Sequence, residues 1–287
     1  MQPIIRCWNR KNKSLTLSTK QLPTNKKNRG DLLRSPLFLN HNSKENFMNR
    51  TISSKPQLFL LHYAGGDRNS FRSLIERLEP FFQVETPELP GRGDRMAESF
   101  LTNKQDAVAD LSSQIKKTRQ KEVPYLIYGH SMGAILGFEI CHAMESTDPP
   151  IYFVPTGYPG PGIKKNVPIA GLPTPEFFAE IRKLGGLSDE VMESKELLDF
   201  FEPVLRADFG LLENEENFPF FEKIQTPIFS VMGKSERYAI HIRNWKNYTH
   251  AACECKIVNG NHFFINQNDN YLSQIIRNLM SAEGINL

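Results

Sequence analysis

Tyr125-Leu126-Ile127-Tyr128-Gly129-His130-Ser131-Met132-Gly133-Ala134-Ile135 decides how the rest of the chain is read. A short apolar run ends in Gly-x-Ser-x-Gly and passes directly into residues with helical apolar spacing. That is the strand–turn–helix context of a nucleophile elbow. The turn is too tight for large residues beside the serine, and Gly129 and Gly133 supply the room. Ser131 then stands above the strand end, over the unpaired N–H groups of a helix N-terminus. The stretch predicts an acyl-transfer nucleophile at Ser131.

Working outward, Gln57-Leu58-Phe59-Leu60-Leu61 reads as a strand running into Tyr63-Ala64-Gly65-Gly66. A helix is predicted from about Ser70 to Glu79, with Phe71, Leu74, Ile75 and Leu78 on one face. A short strand from Phe82 to Glu85 leads into a Pro/Gly loop over residues 87–93. Thr102 with Gln105 predicts a capping box for a helix reaching about Arg119. The elbow strand and helix (125–128 and 132–144) follow, then a strand at Ile151–Val154. This alternation predicts an α/β class, a mostly parallel sheet with helices on both faces.

The rhythm then breaks. Residues 155–175 are rich in Pro and Gly. Thr174-Pro175-Glu176 reads as a cap, an N1 proline and a first-turn acid, opening a helix to about Leu184. A further helical stretch, Glu196 to Phe209, is expected to break or restart at Pro203. A helical lid inserted at about residues 156–222 is therefore expected over the strand ends. Alternation resumes with a strand at Pro227–Met232, a helix around Ile242–Tyr248, a strand at Glu254–Val258 and a helix from about Asp269 to Met280. The whole of residues 55–287 reads as one domain without internal repeats.

Bulk properties fit an ordinary globular chain: 39% hydrophobic and 23% charged residues in 287. No apolar run approaches the roughly 18–20 residues needed to cross a bilayer. The net charge of +3 hides an asymmetry, because residues 1–50 hold eleven Lys/Arg against two Asp/Glu and the remainder is acidic. Residues 1–54 show no sustained period. They read as a disordered basic extension, or as an upstream stretch with Met48 as the working start. The sharper alternatives are a transit peptide and a nucleic-acid or membrane arm. Cys7, Cys141, Cys253 and Cys255 are sparse, and Cys253-x-Cys255 lacks a second pair to complete a zinc site. A reduced, cytoplasmic protein is expected, with no metal, no nucleic-acid partner and no cofactor motif.

A serine hydroxyl needs a base to remove its proton as it attacks. Of seven histidines, only His262, in Asn259-Gly260-Asn261-His262-Phe263-Phe264, falls in a loop after a late strand. His130 and His62 read as packing or hydrogen-bonding residues. The chain order Ser, acid, His puts the acid after the strand at Pro227–Met232, where Glu236 is the available carboxylate. Asp208 is its competitor, but it lies in the helical insertion, ahead of the required strand. An oxyanion hole needs two backbone N–H groups: one from Met132, the other from Ala64 or Gly65 in the loop after the first strand.

Five stretches carry a resemblance to a known family: Leu58–Gly66, Glu88-Leu89-Pro90-Gly91-Arg92-Gly93-Asp94-Arg95, Gly129–Gly133, Leu205-Arg206-Ala207-Asp208-Phe209 and Gly260–Phe264. Their order and spacing resemble the type II thioesterases, the stand-alone editing enzymes of nonribosomal peptide and polyketide pathways. The similarity runs from Leu58 to about Met280. It implies an α/β-hydrolase fold with a helical lid, and substrates that are acyl groups on the phosphopantetheine arm of acyl or peptidyl carrier proteins. It also implies Ser131 as nucleophile, His262 as base, Ala64 and Met132 as oxyanion donors, and a monomer acting in secondary-metabolite and antibiotic biosynthesis. Three positions depart from the pattern. Glu236 stands where the family usually has aspartate, and His62 where proline commonly precedes Tyr-Ala-Gly-Gly. Thr156–Pro161 replaces an Arg-rich stretch. The rival readings are a general carboxylesterase or acyltransferase on the same elbow, and a non-catalytic carrier-protein binder.

Overall fold

The structure, a computed structural model, describes residues 54–163, 168–187, 189–213 and 222–287. Apart from Ser54, the basic extension predicted for residues 1–54, with Met48 and Cys7, lies outside the described residues.

Strand β1 (Gln57–Leu61) is buried along its whole length. Its side chains alternate between two cores, as the period of two requires. Phe59 and Leu61 enter one hydrophobic cluster with Ile127 and Phe153, and Leu58 and Leu60 enter another with Leu126, Tyr128 and Val154. The first is closed by helices α2 (Lys104–Thr118) and α3 (Met132–Met144), through Leu111, Ile115, Leu136 and Ile140. The second is closed by α1 (Arg72–Leu78) and α7 (Asp269–Ala282), through Leu74, Leu78, Leu272 and Ile276.

The other strands are β2 (Gln83–Glu85), β3 (Tyr125–His130), β4 (Tyr152–Thr156), β5 (Ile228–Gly233) and β6 (Cys253–Val258). Together they form a six-stranded sheet in the order β2-β1-β3-β4-β5-β6, with every pairing parallel. The chain moves outward from β1 to β2 and returns to β3 on the other side of β1. The β1/β3 boundary is thus the point where the winding direction reverses, and the crevice above its carboxyl ends is where sheets of this kind bind ligands.

Between β4 and β5 lie α4 (Thr174–Leu184), α5 (Asp189–Glu193) and α6 (Lys195–Glu213). This insertion has a small core of its own, in which Phe177, Phe178, Ile181 and Leu205 are buried. Arg206 ties it together by donating to the carbonyls of Ala170 (2.5 Å) and Leu172 (2.8 Å) and lying 4.3 Å over the Phe177 ring. Residues 164–167, 188 and 214–221 of the predicted lid interval are outside the described residues.

Several local expectations are corrected. Helix α2 is capped by Asn103, whose Oδ1 accepts the Asp106 N–H at 2.8 Å, and not by a Thr102–Gln105 box. Thr174 is already inside α4, so its hydroxyl turns to Glu202 Oε1 (2.7 Å) and Pro173 occupies the cap position. Helix α6 runs unbroken through Pro203: losing one hydrogen bond is outweighed by the packing of Val204, Leu205, Leu211 and Leu212. Residues 239–247 form a 3₁₀ helix that starts ahead of the expected Ile242. It is anchored by Trp245, whose Nε1 donates to Tyr158 O at 2.9 Å.

Candidate active site

The elbow forms where close packing leaves no room for side chains. A Cβ on Gly133 would lie 2.0 Å from the Leu61 carbonyl oxygen, and one on Gly129 would lie 2.1 Å from the Gly133 oxygen. Helix α3 can therefore approach β3 only with glycine at 129, and the end of β1 only with glycine at 133. The residue between them takes the strain: Ser131 has φ 53° and ψ −111°, the one non-glycine residue with positive φ among the described residues. Its N–H donates to Thr156 O at 2.8 Å, which locks the turn to β4.

Three predicted residues from separate loops are joined by hydrogen bonds. His262 Nε2 lies 3.0 Å from Ser131 Oγ. His262 Nδ1 lies 2.7 Å from Glu236 Oε2, and Glu236 Oε1 accepts the Gly233 N–H at 2.7 Å. The glutamate sits on the turn that leaves β5, and its extra methylene is taken up by folding back onto that turn. The Glu236 side chain is 6% exposed and that of His262 17%. The pair is screened from water, yet the serine face of the ring stays accessible.

Asp208, the competing acid, has other partners. Arg92 grips it through Nη1 to Oδ2 (2.6 Å) and Nη2 to Oδ1 (2.7 Å), and the Gly65 N–H donates to Oδ2 at 2.7 Å. Both members of this ion pair are buried, so removing either one would cost about 3–5 kcal/mol. The Gly65 N–H is thereby consumed. Among the described residues the N–H groups of Ala64 and of Met132, the first residue of α3, have no hydrogen-bond partner. Of the two candidates in the turn, Ala64 is the free donor.

His62 and His130 pack beneath this site. His62 Nδ1 lies 3.0 Å from Tyr63 O, and its Nε2 accepts the Leu89 N–H at 3.4 Å, so the proton is on Nδ1. Burial, then the charge of Arg92, holds its pKa below the ordinary histidine value. His130 Nδ1 bonds Thr156 Oγ1 at 2.9 Å, and its ring lies 5.0 Å from that of His262. Burial, reinforced by His262, holds its pKa well below the ordinary value. Both stay neutral in the folded protein.

Above Ser131 and His262 lies a cavity of about 40 Å³, walled by Tyr63, Phe263 and, from the insertion, Ile181, Leu184, Leu205 and Phe209. A shallower depression of about 460 Å³ between β6 and α7 is larger, but it brings no nucleophile and base together. From the sequence Asp208 is only the less favoured candidate for the triad acid, Arg92 only part of a family stretch, and the insertion's wall residues are not singled out. The i, i+3, i+4 spacing of Leu205, Asp208 and Phe209 is the signal that puts them on one helix face.

Residues 56–282 match the thioesterase domain family. The chain belongs to that family. This thioesterase is 29% identical over 228 residues to the gramicidin S biosynthesis protein GrsT of Aneurinibacillus migulanus, covering 76% of this chain and 87% of that protein. It is 27% identical over 222 residues to the thioesterase PikA5 of Streptomyces venezuelae, covering 75% and 77% respectively. Among solved structures it is similar to ClbQ from the colibactin NRPS/PKS pathway, with a TM-score of 0.72 and 28% identity over 80% of this chain and 100% of that one. The type II thioesterase BorB from the borrelidin biosynthetic cluster gives 0.72 and 26% over 79% and 94%. The thioesterase thus has the α/β-hydrolase fold and is a thioester hydrolase. No described helix is long and apolar enough to cross a membrane.

Proposed function

We propose that this thioesterase hydrolyses acyl thioesters on the phosphopantetheine arm of carrier proteins, clearing misprimed or stalled chains from a nonribosomal peptide or polyketide synthase. The observation that carries the reading is the Glu236–His262–Ser131 hydrogen-bonded chain, set beneath an apolar, insertion-covered cavity and beside two unengaged N–H groups.

In this reading Ser131 Oγ attacks the thioester carbonyl while His262 Nε2, 3.0 Å away, takes its proton. Glu236 holds the imidazole in the tautomer that bares Nε2, and stabilises the imidazolium that forms. The oxyanion is held by the Ala64 and Met132 N–H groups, each such donor being worth roughly 10²–10³ in rate. The pantetheine thiol leaves with the proton from His262. Water, activated by the same ring, then releases the acid from the acyl-serine. The reaction draws on the chain's own side chains and backbone N–H groups and on water, without a cofactor or metal. The protein acts as a cytoplasmic monomer that meets its partner transiently.

The test is mass spectrometry of carrier proteins loaded with different acyl groups, compared with turnover of a simple aryl ester. Clearance of carrier-bound acyl groups, abolished by Ser131→Ala, supports the reading. Much faster turnover of the ester would point to a general esterase. Binding of carrier protein without hydrolysis of any thioester would point to a non-catalytic binder.

A further inference from the structure

Residues 63–66 form a tight turn, closed by the Gly66 N–H donating to Tyr63 O at 2.9 Å. Gly65, in its third position, has φ +76°, the sign a type II turn requires there. A turn of this kind is set by its central peptide, whose orientation fixes ψ of Ala64 and φ of Gly65. Here that peptide is held from outside. The Gly65 N–H donates to Asp208 Oδ2 at 2.7 Å. Arg92, which grips both Asp208 oxygens, also reaches Gly66 O at 3.3 Å. The preceding peptide, which carries the Ala64 N–H, is aligned by its own carbonyl, since Tyr63 O accepts from both Gly66 N and His62 Nδ1 (3.0 Å). In a trans peptide the N–H points opposite to that carbonyl.

We propose that Asp208, oriented by Arg92, is a positioning residue for the reaction: by holding the 64–65 peptide it keeps the turn closed from Gly66 N–H onto Tyr63 O, and so keeps the adjoining 63–64 peptide with its Ala64 N–H facing the developing oxyanion. Asp208 touches neither Ser131 nor His262 and acts through the turn. It comes from α6, the same helix that sets Leu205 against the turn, where a Cβ on Gly65 would lie 2.5 Å from Leu205 Cδ2. Docking of the insertion and assembly of the oxyanion site are therefore one event. The two family-defining stretches around Arg92 and Asp208, 116 residues apart in sequence, meet for this purpose.

The inference rests on the acyl-transfer reading of Ser131, and the experiment separates the two. Asp208→Asn keeps the shape but sets an amide N–H₂ against a donor. Arg92→Lys keeps the charge but loses the two-pronged grip, and it decides the matter should the first variant fail to fold. For each, kcat and KM on an acyl-pantetheine are measured alongside the affinity for an alkylboronic acid, which forms a tetrahedral adduct on the serine. The expected result is a fall in kcat on the order of 10²-fold, an equal fall in boronate affinity per folded site, and little change in KM. Lower melting temperatures with unchanged kcat and boronate affinity per folded site would overturn the proposal. A wild-type protein that neither hydrolyses the thioester nor binds the boronate would instead overturn the function.

Discussion

Glu236 meets His262 with one carboxylate oxygen, 2.7 Å from Nδ1, while its other oxygen closes on the Gly233 N–H at the same distance. The second contact orients the first. Glu236→Gln presents an amide in place of a carboxylate and favours the wrong imidazole tautomer. We expect kcat to fall by about 10⁴-fold with the fold intact, as a misplaced tautomer does in serine triads. Glu236→Asp shortens the reach by one methylene and must surrender one of the two contacts, so its kcat should fall between the two. Steady-state kinetics on an acyl-pantetheine decide this, and an unchanged rate for Glu236→Gln would remove Glu236 from the reaction.

Gly133→Ala tests the elbow. The added Cβ would lie 2.0 Å from the Leu61 oxygen and 2.8 Å from the His62 oxygen, both backbone atoms at the root of the oxyanion turn. Relief requires moving β1 or α3, at a cost of about 1–3 kcal/mol or more. Thermal melts should show the loss, and hydrolysis should fall beyond what the folded fraction explains.

Acid sensitivity should trace to the neutral buried histidines. Both His62 and His130 have pKa values held below the ordinary one, chiefly by burial. Above about pH 6.5 both the folded and unfolded chains leave them neutral, and stability is unaffected. Below it the unfolded chain takes up protons that the folded state refuses, so stability falls as pH falls. Each histidine contributes up to about 1.4 kcal/mol per pH unit. Urea midpoints between about pH 7.5 and pH 5.5 should drop in the wild type. The drop should be shallower in His130→Asn, whatever that variant's stability at neutral pH. An equal drop would exclude His130 as a source.

Chain-length preference should respond to Leu184, which walls the cavity and is 36% exposed. Space for a few waters accommodates a short acyl group. Leu184→Ala opens the wall at little cost to the core. The ratio of kcat/KM for octanoyl over acetyl thioester should rise about tenfold. A constant ratio would mean that another residue bounds the chain.

The sheet and its helices were legible because Leu58–Leu61 and Tyr125–Tyr128 are continuous apolar runs, and helices such as Asp269–Ala282 repeat apolar residues at helical spacing. Ser131, His262 and Glu236 could be picked out because each loop's position in the fold order specifies its content. What escaped was set by contacts remote in sequence. Asn103 rather than Thr102 caps α2, and nothing local ranks one over the other. Pro203 reads as a break, yet the packed face of α6 carries the helix through it. The residues alone left Ala64 and Gly65 open and only the resemblance favoured Ala64; the physical difference between them, the Asp208 bond that engages the Gly65 N–H, bridges 143 positions. His62, an anomaly against the family pattern, is explained only once Leu89 is seen to donate to its ring.

The left-handed backbone of Ser131 has a consequence for selection. A non-glycine residue in that conformation carries a penalty of order 1–3 kcal/mol, and here it falls on the residue whose hydroxyl meets His262. Ser131→Gly removes the hydroxyl and the penalty together. The inert protein should melt at a higher temperature than the active one, so selection for stability alone would erase the nucleophile. In the acyl-transfer reading, the strain at Ser131 is what the fold bears to keep a nucleophile there.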